Sequence, residues 1–191
     1  MRELSFVTSN VHKLREFEAI MGGDFPIPLR SHSVDIVETQ GDAVDIATRK
    51  CRAAAAVVGG PTITEDAGLE FSALRGLPGP YVKDFLTRLQ PEGLHRMLHG
   101  YDDKRATAQC IFVLCMGDGS DPVPFVGRTD GVVVEPRGDP TFGWDPIFQP
   151  DGFDQTYAEM PKATKNAISH RSKAVAALKA YLLEHLDDFR S

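Results

Sequence analysis

The chain has 191 residues, with 21 Lys plus Arg against 27 Asp plus Glu and a formal net charge of −6. With 42% apolar and 25% charged residues it fits a globular domain, which excludes disordered and fibrous classes. The negative balance argues against a nucleic-acid partner, which needs many Lys and Arg contacts to phosphate, and no apolar run nears the roughly 18 residues of a membrane span. The N-terminal apolar stretch is too short for a signal peptide, so a cytoplasmic protein forming one domain over residues 1–191 is expected. Cys51, Cys110 and Cys115 form no CxxC pair and leave an odd one over, which favours reduced, buried thiols over a disulfide or a zinc site.

In chain order, residues 4–8 form a short apolar run that breaks at Ser9-Asn10 and passes into helical spacing at Leu14, Phe17, Ile20 and Met21. Residues 25–29 and 34–37 read as second-strand material, with Pro26 and Pro28 suited to an edge or a connection. Over residues 42–58, Ile46, Ala47, Cys51, Ala54, Val57 and Val58 recur every three to four positions behind a candidate cap at Asp42, predicting an amphipathic helix. Gly59-Gly60-Pro61 ends it, and Thr62 to Thr64 reads as a short strand whose end carries the carboxylates Glu65 and Asp66. Gly76-Leu77-Pro78-Gly79-Pro80 predicts a rigid loop, Tyr81, Phe85, Leu86 and Leu89 a helix, and Pro91 a new helical start. Residues 106–116 predict a strong strand, turned by Gly117-Asp118-Gly119-Ser120-Asp121 into an antiparallel partner ending at Val132-Val133-Val134. Residues 136–161, rich in Gly, Pro and aromatic side chains, lack a helical period and read as a functional loop. From residue 169 onward Val175, Leu178, Leu182 and Leu186 predict a terminal helix.

Four constellations could carry chemistry. Thr8-Ser9-Asn10-Val11-His12-Lys13 lies at a strand-to-helix turn, where unpaired N–H groups and an ammonium suit a phosphate; Ser9 or Asn10 could equally be a plain helix cap. Glu38, Glu65 and Asp66 follow short apolar runs and offer hard oxygen ligands for Mg²⁺, or, for the acidic pair, a solvated strand end. Phe142-Gly143-Trp144-Asp145-Pro146 offers a π face for a purine and a carboxylate to accept an N–H, or else an aromatic plug at the edge of the core. The four cations Lys162, Lys165, Arg171 and Lys173 crowd one helix start against its dipole, a burden that a bound anion would relieve. His95 and His99 stand four apart without a third ligand and read as surface histidines.

Together these stretches resemble the inosine triphosphate pyrophosphatase family, which hydrolyses deaminated purine nucleoside triphosphates. The resemblance rests on Thr8-Ser9-Asn10 with Lys13, Glu65-Asp66-Ala67-Gly68-Leu69, Gly76-Leu77-Pro78-Gly79-Pro80-Tyr81-Val82-Lys83, the run from Phe142 to Pro161, and Lys165-Asn166-Ala167-Ile168-Ser169-His170-Arg171, which together cover nearly the whole chain. Pro91-Glu92-Gly93-Leu94 and Gln149-Pro150-Asp151-Gly152 resemble the eukaryotic branch in particular. The resemblance implies an elongated two-lobed α/β fold on a long mixed sheet, a nucleotide cleft between the lobes, dependence on Mg²⁺ with Mn²⁺ as a substitute, and a homodimer. It implies attack of water on the α-phosphorus of ITP, dITP or XTP, giving the monophosphate and pyrophosphate.

By position, Thr8, Ser9, Asn10, Val11, His12, Lys13 and Lys50 would hold the phosphates, and Glu38 and Asp66 the metal. Asp66 would activate the water, with Glu65 beside it and Lys13 assisting. Lys83 would help at the phosphates or the base edge, Phe142, Gly143, Trp144 and Asp145 would form the base pocket, Lys165, His170 and Arg171 would read the 6-oxo group, and Ser169 would also bind substrate. Where the family commonly has a hydroxyl residue after the acidic pair, this chain has Ala67, so a supporting hydrogen bond is missing there or comes from water. A non-hydrolysing nucleotide sensor on the same fold is the alternative that this change motivates.

Selectivity has its own physical basis. Hypoxanthine and xanthine present an acceptor at position 6 and adenine an amino donor, so donors from His170 and Arg171 would face a donor in ATP. Two buried donors left unpaired, at roughly 1 to 3 kcal/mol each, would disfavour ATP by about 30-fold to 10⁴-fold. On this basis Arg171→Ala is expected to shrink the ITP-to-ATP ratio more than it lowers the melting temperature.

Overall fold

The structure, a computed structural model, describes residues 1–117 and 119–190, so Asp118 of the predicted turn lies outside the described residues. Seven strands form one mixed sheet: β1 (Leu4–Val7), β2 (Leu29–His32), β3 (Thr62–Phe71), β4 (Pro78–Gly79), β5 (Arg105–Cys115), β6 (Val123–Val133) and β7 (Phe148–Pro150). Their order is β2-β1-β3-β5-β6-β7, with β4 on β3. β1 runs parallel to both neighbours, pairing Leu4 with Leu29 and Phe6 with Ile63, while β4 and β7 are antiparallel to β3 and β6. β5 and β6 are neighbours joined by residues 116–122, a connection too short to carry the chain back for a parallel pairing, so the expected antiparallel pair forms.

The chain forms two compact units: residues 1–66, 110–127 and 171–191, and residues 67–109 and 128–170. In the first, β5 is buried at every position from Cys110 to Cys115 because helices cover both its faces. Cys110, Phe112 and Leu114 pack with Phe17 of α1 (Val11–Met21) and with Val175, Leu178 and Leu182 of α5 (His170–Glu184). The alternate residues Ile111, Val113 and Cys115 pack against Ala47, Cys51 and Ala55 of α2 (Ala43–Val58). The second unit has its own core of Leu69, Phe71, Leu94, Ala108, Trp144, Phe148 and Tyr157. It carries α3 (Val82–Arg96) and α4 (Lys162–Ile168). All three cysteines are free and buried, as expected.

Several elements depart from the sequence reading. The second strand is Leu29–His32 rather than residues 25–29 or 34–37: Pro28 has no N–H but its carbonyl accepts from Leu4 (2.8 Å), and residues 33–40 have no regular structure. Asp42 starts α2 in extended backbone without a side-chain cap bond, and Ala55 takes the buried place expected of Val57. Within α3, Gln90 adopts φ 59°, so Pro91 restarts the helix where its missing N–H costs nothing. The largest difference is β3, which continues beyond the acidic pair to Leu69 and Phe71, both fully buried in the second core. Glu65 and Asp66 therefore stand inside a strand, on opposite faces of the sheet.

Candidate active site

The turn after β1 is held by its own side chains. Thr8 Oγ1 accepts from the Asn10 N–H (3.1 Å), and Asn10 Oδ1 accepts from the N–H groups of His12 (3.0 Å) and Lys13 (3.2 Å). Of the two readings of this turn, Asn10 as a cap is present in the structure; Ser9, Val11 and His12 are exposed. The cap starts α1 so that Lys13, on its first turn, reaches β3, with Nζ 2.8 Å from Glu65 Oε2.

Glu65 is fully buried, and charged and polar donors surround it. Arg171 Nη2 donates to Oε1 (3.1 Å), the Cys110 thiol donates to the same oxygen (3.3 Å), and the other Arg171 terminal nitrogen pairs with Glu16 of α1. Burial opposes the Glu65 charge, but Arg171 and then Lys13 outweigh it and hold the carboxyl well below the usual range. Burial likewise opposes the Arg171 charge, which Glu65 and Glu16 restore. The Cys110 thiol is pushed well up by burial and by Glu65, so it remains a donor. Lys13, Glu65, Arg171 and Glu16 form a chain of alternating charge that begins and ends on α1, with Lys13 and Glu16 one turn apart.

Asp66, on the other face, is half-buried and pairs through Oδ1 with Lys50 of α2. Glu38 lies 3.8 Å from the same ammonium. Burial opposes the Lys50 charge, but Asp66, Glu38 and Glu65 raise its pKa above the ordinary lysine value. Asp66 Oδ2 is buried and has no hydrogen-bond partner among the described residues. No group of three or more His, Cys, Asp or Glu side chains suited to a metal occurs among the described residues. Asp66 and Glu38 are donors of the type that suits Mg²⁺, which keeps several waters and binds through one or two carboxylates together with substrate phosphates; Lys50 holds both carboxylates and would have to give way to such an ion.

The remaining predicted residues lie in the second unit. Gly143 takes φ +57°, a turn that favours glycine, and Trp144 follows it into the core at 7% exposure. The indole packs 5.3 Å from the His170 ring and edge-on to Phe148 at 5.7 Å, so of the two readings for this loop the aromatic plug accounts for Trp144. Phe142 is half-buried and has Lys165 Nζ 4.6 Å above its ring. Asp145 accepts from Lys165 (2.5 Å). Ser169 and His170 are buried at the junction of α4 and α5, and Lys83 is exposed in the first turn of α3. Two of the cations crowded at this helix start are compensated within the protein, Lys165 by Asp145 and Arg171 by Glu16 and Glu65, so neither of these calls for a bound anion.

The predicted residues thus fall into two groups. Thr8 to Lys13, Glu38, Lys50, Glu65, Asp66 and Arg171 belong to the first unit, and Lys83, Phe142 to Asp145, Lys165, Ser169 and His170 to the second. Sequence reasoning missed Glu16, whose signal was its spacing from Lys13, and Tyr157, which lay among the loop aromatics. Cys110, in an unbroken apolar run, carried no signal.

The buried Glu65 predicts a particular acid response. Its folded pKa is depressed, so its stabilisation is present above the ordinary glutamate pKa, about 4.3, and is lost as pH falls below it. Glu65→Gln should melt lower than wild type near neutrality, with the gap narrowing towards pH 3. Thermal melts by circular dichroism across that range check it, and a gap that stays constant would refute it.

A model of the Ham1 family matches residues 4–181. Among solved structures, a HAM1 protein from Coxiella burnetii is similar with a TM-score of 0.86 and 30% identity, covering 96% of this chain and 100% of that one. The Staphylococcus aureus Ham1 protein is similar with a TM-score of 0.76 and 27% identity, covering 96% and 100%. A nucleoside-triphosphatase, dITP/XTP pyrophosphatase, from Mycobacterium abscessus is similar with a TM-score of 0.72 and 27% identity, covering 92% and 98%.

Proposed function

The chain belongs to the Ham1 family, and we propose on that premise that it hydrolyses the deaminated purine nucleoside triphosphates ITP, dITP and XTP to the monophosphate and pyrophosphate. The dITP/XTP pyrophosphatase from Mycobacterium abscessus supports the substrate class. The observation that carries the reading is the division of labour across β3, with Lys13 held by Glu65 on one face and Asp66 beside Lys50 on the other.

Lys13, with the exposed Ser9 and His12 side chains of the turn, binds the phosphates, and Lys50 adds positive charge against the departing pyrophosphate. Of the two carboxylates, Asp66 is the better base. Glu65 has both oxygens in ion pairs that depress its proton affinity, whereas among the described residues only Oδ1 of Asp66 is in an ion pair. The proton of the water attacking the α-phosphorus passes to Asp66, and Glu65 keeps Lys13 aimed. Glu38 and Asp66 would hold Mg²⁺, or Mn²⁺ in its place, which when bound neutralises phosphate charge and orients water.

For the base, Phe142 supplies an aromatic face and His170 the donor to the 6-oxo group. Arg171 is engaged by two carboxylates and can add to this only by trading one of them. With one donor left unpaired at about 1 to 3 kcal/mol, ITP should be preferred to ATP by about 5- to 150-fold in kcat/KM, a narrower gap than two donors would give. Pyrophosphate release from ITP, XTP and ATP, with and without Mg²⁺, tests this; equal rates for ITP and ATP would reject the selectivity. A homodimer and cytoplasmic residence belong to the same reading and rest on the family resemblance.

A further inference from the structure

Resting on that reading, we propose that Tyr157 is a positioning residue for purine selection: it holds the His170 imidazole by stacking and so fixes the donor that meets the 6-oxo group. Tyr157 has no role in the chemistry above.

His170 is the first residue of α5 and follows Ser169, whose backbone is extended (φ −69°, ψ 156°). Histidine χ2 is a broad, two-fold torsion, so the backbone at a helix start does not define the ring plane. Flat neighbours do. The Tyr157 ring lies 5.8 Å from the His170 ring at an interplanar angle of 17°, and the Trp144 ring lies 5.3 Å away at 35°. Tyr157 is the more parallel of the two.

Tyr157 is itself well anchored. It is 2% exposed, its N–H donates to the Phe148 carbonyl (3.0 Å), and its ring packs 4.9 Å from Phe148. The preceding residue is pinned on two sides, by Thr156 N–H to Glu159 (2.8 Å) and by Thr156 Oγ1 to the Arg137 carbonyl (3.0 Å). Lys165 Nζ lies 5.4 Å from the Tyr157 ring centroid, so one aromatic ring lies against both the imidazole and the buried cation of this group. A donor must be aimed to discriminate between an acceptor and a donor on the base, and the stack does the aiming.

The test compares kcat/KM for ITP and ATP in wild type, Tyr157→Phe, Tyr157→Leu, His170→Ala and Phe71→Leu, the last removing a buried ring elsewhere in the same core. Tyr157→Phe keeps the ring and should stay within about twofold of the wild-type ratio. Tyr157→Leu should lower the ratio by up to about tenfold, the size of one lost aromatic contact, mainly through a higher KM for ITP. Phe71→Leu should melt lower with the ratio unchanged. An unchanged ratio in Tyr157→Leu, or an equal fall in Phe71→Leu, overturns the proposal alone. An unchanged ratio in His170→Ala overturns the reading beneath it as well. Should Tyr157→Leu fail to fold, nuclear magnetic resonance of wild type decides: ring stacking should shift the His170 ring protons upfield of those of exposed histidines, and unshifted resonances reject the proposal.

Discussion

Asp66→Asn should lower kcat for ITP hydrolysis by about 10²- to 10⁴-fold, the contribution of a well-placed general base, while the protein stays folded. The amide keeps the shape of the carboxylate but cannot take a proton from water, and it weakens any metal ligand at the same position. The fold should survive because Asp66 is only half-buried and its partner Lys50 still has Glu38 3.8 Å away. Steady-state kinetics together with a thermal melt make the check, since a large fall in both would point to structural damage instead. Near-normal turnover would overturn the assignment of Asp66 as base and metal ligand. Added Mg²⁺ should restore little of the lost rate, because a missing base cannot be replaced by raising the occupancy of an ion.

Arg171→Ala should be strongly damaging to stability, where the sequence alone places its larger effect on the ITP-to-ATP ratio. Arg171 is 2% exposed and pairs with both Glu16 and Glu65. Removing it leaves Glu65 with its burial uncompensated except by Lys13 and the Cys110 thiol, at a cost of about 3–5 kcal/mol. For a chain of this size that corresponds to a melting temperature lower by about 6–20 °C. The side chains act as a unit, so Glu65→Gln made in the Arg171→Ala background should cost clearly less than in wild type. A thermal double-mutant cycle measures this; additive losses would mean that the two side chains are independent. The lesion should also reach catalysis, because a loosened Glu65 no longer holds Lys13 towards the phosphates.

These two residues mark how far the sequence could be read. The β1–turn–α1 unit was legible because its period changes from a strand run to helical spacing at one polar break, and the pairing of β5 with β6 was legible from two apolar runs and a Gly-rich link. Strand β3 was misjudged because a pair of charges ordinarily ends a strand; here Lys13 and Arg171 neutralise Glu65, so the strand passes through the acidic pair. The motif residues were recognisable by type, but their partners were not. Glu16 and Arg171 are 155 positions apart, and no local pattern reports that they meet. The division of the motif residues between two compact units depends on where β3, β5, β6 and the start of α5 pass from one unit to the other, a property of tertiary contacts that spacing does not carry.

Lys50 has a further effect. Lodged beside Asp66 and Glu38, it keeps the two carboxylates from confronting each other bare, so the folded chain has no electrostatic debt that only a divalent ion could discharge. On the Mg²⁺ dependence proposed above, a metal-starved cell would hold this protein intact but idle. Ion supply would there act as a throttle on turnover rather than as glue for the fold, and activity would return on resupply without any refolding.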